Sequence, residues 1–215
     1  MENNLVIKDL SVAYKDKKVL DNINLDLKAK CYGLMGRSGS GKSTFMKAVL
    51  GLIPYDGQIF LNGKLVDKDR MGFQVVFQNS FKSFDPSMTI RESIEELCRR
   101  NKTSHDLGEL FEKFGMDKAL LDKKPTSLSG GQLQRASIIR AITQNPKVLL
   151  LDEPTASLDV INQKNILEMI KSITGVVIIL VSHDPKTIYY ASQEQLRLDV
   201  ESKKIVNMVA NVSSE

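Results

Sequence analysis

The sequence is poor in several features that would each have pointed to a class of protein. Its 30 Lys and Arg barely outnumber its 26 Asp and Glu, for a net charge of +4. That small excess is not the concentrated basic stripe of a nucleic-acid protein. The longest aliphatic run, residues 176–181, is far short of the ~20 residues a membrane-spanning helix needs. With two histidines, a histidine-based metal site has little to be built from. The two cysteines, Cys31 and Cys98, have neither CxxC nor metal-ligand spacing. They read as buried free thiols of a reducing compartment, with a disulfide as the alternative. Met1-Glu2-Asn3-Asn4 has no basic stretch leading into an apolar one, so no secretory signal is expected. The polar tail Asn211-Val212-Ser213-Ser214-Glu215 is expected to fray.

What is present is a soluble globular balance of 42% hydrophobic and 26% charged residues over 215 positions, ordinary for one compact domain. Leu5, Ile7, Leu10 and Val12, then Ile23, Leu25 and Leu27, alternate with polar residues around turn residues Lys15-Asp16-Lys17. This predicts short antiparallel strands. Tyr32-Gly33-Leu34-Met35 reads as a buried strand, residues 44–50 as a helix stopped near Gly51 and Pro54, and residues 58–61 as a strand closed by Asn62-Gly63. Residues 73–77 form another apolar strand. From about 89 to 121 the apolar spacing turns helical, through Ile90, Ile94, Leu97, Leu107, Leu110, Phe111 and Phe114, with the exit at Pro125. A helix over 132–143 follows. Residues 148–151 and 176–181 are aliphatic runs suited to a parallel sheet buried on both faces, joined by a helix over about 160–173. The expected fold is α/β: a parallel-sheet core, antiparallel strands at the front, and a helical insertion at about 82–130 within one domain, 1–215.

Gly36-Arg37-Ser38-Gly39-Ser40-Gly41-Lys42-Ser43 matches G-x-x-x-x-G-K-[ST] at every fixed position, after a predicted strand and before a predicted helix. Wrapping several backbone N–H groups around polyphosphate requires glycine's backbone freedom, and the helix start adds partial positive charge. Lys42 is expected at the β- and γ-phosphates and the Ser43 hydroxyl on Mg²⁺, with Thr44 continuing the loop into the helix. The segment over 148–153 is an aliphatic strand ending in Asp152-Glu153. Open α/β sheets bind ligands at the carboxyl ends of their strands. Asp152 is therefore expected in the Mg²⁺ shell and Glu153 as general base on the attacking water. Leu128-Ser129-Gly130-Gly131-Gln132 precedes a helix and reads either as a second anion-binding helix start or as an N-cap with a flexible lead-in.

Together these segments resemble the ATP-binding-cassette (ABC) ATPases, from about residue 5 to residue 206. Leu128-Ser129-Gly130-Gly131-Gln132 matches that family's signature without substitution. The resemblance implies that Tyr14 stacks on adenine and that Gln78 is the Q-loop glutamine, touching Mg²⁺ or the attacking water. It also implies that Ser157-Leu158-Asp159 is the D-loop and that His183 is the switch histidine at the γ-phosphate. It further implies a head-to-tail pair of cassettes, identical or related. Each ATP then lies between one subunit's phosphate loop and the other's Ser129, Gly130, Gly131 and Gln132. Hydrolysis would drive separate membrane permeases from the cytoplasmic face. Within the family, the stretch Gln78-Asn79-Ser80-Phe81-Lys82-Ser83-Phe84-Asp85-Pro86-Ser87-Met88-Thr89-Ile90 is most similar to the oligopeptide, dipeptide and nickel importers, which implies an extracytoplasmic binding protein as well. A non-transport cassette ATPase and a small nucleotide kinase are the alternatives. The first lacks its usual second cassette, coiled-coil arms or metal inserts here. The second leaves Leu128 to Gln132 and Asp152-Glu153 unexplained.

Overall fold

The structure, a computed structural model, describes residues 2–15, 17–67 and 70–208. Asp16 of the predicted turn and the tail expected to fray both lie outside these residues. In chain order the strands are β1 (Asn4–Tyr14), β2 (Lys17–Lys28), β3 (Cys31–Met35), β4 (Asp56–Leu61), β5 (Lys64–Leu65), β6 (Phe73–Val76), β7 (Val148–Asp152), β8 (Val177–Val181), β9 (Glu194–Leu198) and β10 (Ile205–Asn207). The α-helices are α1 (Lys42–Val49), α2 (Ile90–Asn101), α3 (Leu107–Lys113), α4 (Gly130–Ile142), α5 (Val160–Ser172) and α6 (Pro185–Ala191). The chain folds as two compact units, Met1–Arg70 with Thr174–Glu215, and Met71–Ile173.

In the first unit, β1 pairs antiparallel with β2 and β4, and β4 with β5. The alternation seen in sequence places Leu5, Ile7, Leu10, Leu20, Ile23 and Ile59 on the buried face, each at most 1% exposed. Asn62 and Gly63 both take positive φ, 53° and 77°, and close β4 onto β5 as an Asn-Gly turn should. The second sheet of this unit runs β10-β9-β3-β8, with β3 parallel to both β8 and β9 and β10 antiparallel at the edge. Strand β8 is buried at every position, as its unbroken aliphatic run implied. Residues 185–207, to which the sequence pattern assigns no element, form α6, β9 and β10. The reason is local: α6 has only seven residues, two of them exposed tyrosines, and Glu194-Gln195-Leu196-Arg197-Leu198 is half polar. Cys31 is a free, buried thiol that burial pushes up to about 12.

In the second unit, β6 and β7 pair in parallel, with Phe73 opposite Val148 and Val76 opposite Leu151. The helical stretch is not continuous. Lys102 takes the left-handed conformation at the end of α2, and Asp106 caps α3 by accepting from the Glu109 N–H. Residue 89 begins the segment as expected: Thr89 accepts from the Glu92 N–H and Glu92 accepts from the Thr89 N–H, a capping box. Ile90, Ile94, Phe111 and Leu121 are fully buried. Cys98 is likewise buried and unpaired, so both cysteines are free thiols.

Gly33 shows how tightly α6 packs on β3. A Cβ at this position would run into Ile188 Cγ2 and lie 2.7 Å from Ser192 Oγ. Gly33→Ala is expected to destabilise the protein by about 1–3 kcal/mol, the usual cost of overpacking. Urea unfolding would show it, and Ile188→Ala, which removes the clashing Cγ2, should cost less in the Gly33→Ala chain than in the parent.

Candidate functional site

The first unit holds the glycine loop between β3 and α1. Gly41 is the N-cap of α1 with φ 109°, and Gly39 has φ 76°, conformations that a side chain disfavours. At Gly36 a Cβ would stand 2.6 Å from Ser40 Oγ and 3.2 Å from the Leu198 carbonyl. Inside this turn, Lys42 is 9% exposed, and its ammonium donates to the carbonyls of Gly36 at 2.6 Å and Arg37 at 3.1 Å. A buried ammonium held by carbonyl dipoles is poised for an anion. Among the described residues, α1 is the only α-helix whose N-terminus has no side-chain cap. The others are capped by Thr89, Asp106, Ser129, Asp159 and Asp184. Its leading N–H groups therefore remain available to a ligand. Arg37, Ser38, Gly39 and Ser43 are exposed around the loop, while Ser40 is buried and its hydroxyl has no partner among the described residues. Arg37 and Gly36 also line a cavity of about 220 Å³ with Arg197 and the turn after β9.

Strand register decides what else stands near the loop in this unit. Leu34 pairs in parallel with Val181. The chains leaving both strands, with Gly36 and His183 two residues on, therefore emerge at one end of the sheet. Asp184 fixes the turn after His183 by accepting from the N–H groups of Lys186 and Thr187 at 3.0 and 3.2 Å. Tyr14 ends β1 and is 49% exposed, a ring presented to solvent.

The second unit collects the remaining candidates. Val76 pairs in parallel with Leu151, so the chains carrying Gln78 and Glu153, each two residues on, leave the sheet at the same end. Asp152 ends β7, and Glu153 follows with φ 48°. A left-handed conformation is costly for a glutamate and marks a position that geometry, not propensity, has chosen. Gln78, the Leu128 and Gly130 segment and the Ala156-Ser157-Leu158 turn line one cavity of about 610 Å³. Ser129 and Gln132 cap α4 reciprocally: the Gln132 N–H donates to Ser129 Oγ at 3.3 Å and the Ser129 N–H to Gln132 Oε1 at 2.9 Å. Asp159 caps α5, accepting from the Asn162 N–H at 2.9 Å. These hydrogen bonds from Asn162 hold the Asp159 carboxyl below the usual range. Ser43 in the first unit, and Asp152 and Gln78 in the second, each carry an oxygen donor of the hard type that Mg²⁺ takes.

Two residues escape a reading of the sequence. Gln134, 3% exposed, lines the same cavity with its Nε2 unpartnered among the described residues. Asn162 packs against Gly131. Their only signal was helical position, which marks neither of them out.

The profile described as ABC transporter matches residues 20–156, more than half of the chain. The chain belongs to the ABC transporter family. Among its curated relatives are the nickel import ATP-binding proteins NikE of Escherichia coli, 34% identical, and of Shigella boydii, 33% identical. Each is aligned over 205 positions that cover 86% of this chain and 76% of the relative. Its fold is that of cbiO1 from Clostridium perfringens, part of the ABC transporter complex cbiONQ. The TM-score is 0.81 at 23% identity, over 96% of this chain and 88% of the other. A bacterial ABC transporter cassette in a dimeric structure superposes with a TM-score of 0.76 at 25% identity, over 94% and 96% of the two chains.

The strain at Glu153 can be measured. Glu153→Gly is expected to unfold with a free energy about 1 kcal/mol higher than Glu153→Ala, since only glycine tolerates the left-handed backbone without cost. Equal stabilities would mean that the positive φ stores nothing.

Proposed function

We propose that this chain is the ATP-hydrolysing subunit of an ABC importer, one nucleotide-binding domain over 1–215 with its helical part at about 82–130. The observation that carries the proposal is the first turn of α1. There, alone among the α-helices of the described residues, no side chain caps the N-terminus, and a buried ammonium from Lys42 lies inside the preceding loop. That combination suits a polyphosphate. In this reading Gly36, Arg37, Ser38, Gly39, Ser40 and Gly41 wrap the phosphates with backbone N–H groups. Lys42 leaves the loop carbonyls for the β- and γ-oxygens, and Ser43 and Thr44 open the helix toward them. Tyr14 stacks on the adenine.

Bound Mg²⁺ would neutralise charge on the phosphate oxygens, held by Ser43, Gln78 and Asp152. Glu153 takes a proton from the attacking water, Gln78 orients that water, and His183 donates to the γ-phosphate. Ser129, Gly130, Gly131 and Gln132 face the ATP of a second subunit, identical or related, and Asp159 lies in the same surface. Gly130 supports this. Its Cβ would make only an ordinary 3.5 Å contact with Leu158, so the chain's own packing does not require glycine there, whereas a closely approaching ligand would.

Among the described residues no helix is long and apolar enough to cross a membrane. The proposed subunit sits on the cytoplasmic face and couples to separate permeases and an extracytoplasmic binding protein. The NikE relatives and the stretch after Gln78 favour nickel complexes or peptides as cargo.

Lys42→Ala is expected to abolish ATP binding, read by fluorescent-nucleotide titration; near-normal affinity would overturn the assignment of the loop. Glu153→Gln is expected to bind ATP, to lose roughly 10²–10⁴-fold in hydrolysis and to accumulate as an ATP-bound dimer on size exclusion. Copurification with permease subunits tests the coupling to transport.

A further inference from the structure

Asn162 occupies the first turn of α5 and touches two of the candidate segments at once. Its Nδ2 donates to Asp159 Oδ2 at 2.6 Å while its backbone N–H donates to Asp159 Oδ1 at 2.9 Å. The carboxylate of Asp159 is therefore gripped on both oxygens by one residue. On its other side the same carboxamide lies against the backbone of Gly131. A Cβ at 131 would collide with Asn162 Oδ1 and stand 2.5 Å from Cγ and 2.9 Å from Cβ. Gly131 is thus a glycine because Asn162 fills the space a side chain would take. Gly130, by contrast, has room for a Cβ.

We propose that Asn162 is a positioning residue that clamps the Asp159 carboxylate to the Gly131 backbone, so that the two segments meet a second subunit as one rigid element. This rests on the two-subunit ATPase reading above. Asn162 need not touch nucleotide. It fixes where the start of α4 stands relative to the Asp159 turn, and both are parts of the surface that the second subunit's ATP must fit. An asparagine suits the task because it donates with one end and is compact and flat at the other. An aspartate of the same shape replaces the donor by a second carboxylate facing Asp159, and two carboxylates in contact cannot both stay ionised without cost.

The test uses the full chain carrying Glu153→Gln, with the dimer dissociation constant measured by analytical ultracentrifugation in ATP and Mg²⁺. Adding Asn162→Asp is expected to weaken the dimer about tenfold or more at about pH 8. The gap to the parent should narrow as pH falls toward about 5.5 and the carboxylate pair takes up a proton. Asn162→Ala should weaken the dimer at every pH without that recovery, and Lys164→Ala, exposed on the same helix, should leave it at the parent value. A purely structural loss in α5 would not produce the pH-dependent recovery. Asn162→Asp and Asn162→Ala chains that dimerise like the parent at all pH values overturn the clamp. A parent that stays monomeric in ATP overturns the ATPase reading, and the clamp falls with it.

Discussion

The arrangement of candidate residues depends on parallel strand pairing. Two parallel strands release their following loops at one end of the sheet, and the ladder of backbone hydrogen bonds fixes how far along each loop begins. In the first unit the pairing of Leu34 with Val181 sends the chains carrying Gly36 and His183 out at one end. In the second, Val76 opposite Leu151 does the same for Gln78 and Glu153. A slip of one residue in either ladder would turn every side chain of the strand to the opposite face. The aliphatic run of β8, buried at every position, and the four buried residues of β7 before Asp152 therefore do more than supply a core. They hold each pair of loops in step.

Much of this was legible beforehand because it is written in local patterns. The period-2 alternation of Leu5, Ile7 and Leu10 became the buried face of β1, and Asn62-Gly63 became the positive-φ turn it resembles. The helix start near residue 89 was legible in the apolar spacing of Ile90, Ile94 and Leu97, and the Thr89–Glu92 capping box that fixes it lies within four residues of sequence. What was not legible is set by contacts distant in sequence or by backbone angles. Strand β9 has no strong pattern of its own, yet it pairs along Tyr32, Gly33, Leu34 and Met35; its neighbour, not its propensity, makes it a strand. Nothing in Leu151-Asp152-Glu153 announces that the glutamate will take φ 48°. Helix α4 starts at Gly130, although glycine is a poor helix former, because Ser129 and Gln132 cap each other and tertiary contacts override propensity.

The glycines separate what the chain explains by itself from what it does not. Gly33 is needed by Ile188, Gly36 by Ser40, Gly131 by Asn162, and Gly39 and Gly41 by their own positive φ. Each of these has a reason in the chain's own packing or backbone angles. Gly130 has no such reason. The same separation applies to helix starts. Five α-helices in the described residues meet their own N-terminal donors with a side chain, and α1 does not.

A fold built for stability alone would have capped α1, since a capping side chain is worth about 1 kcal/mol. It would also have no use for a lysine buried among carbonyl groups. The two departures lie within one turn of each other and make one deficit: helix donors without a capping side chain, beside an ammonium held by neutral carbonyl groups. The start of α4 shows a milder form of it. Its capping box takes up the Gln132 N–H, while the N–H groups of Gly130 and Gly131 still lack an intrahelical acceptor. In the proposed reading an anion with many oxygens relieves both deficits. In one the lysine supplies the countercharge. In the other the donors are those of the helix start, which the proposed function assigns to a partner's binding pocket.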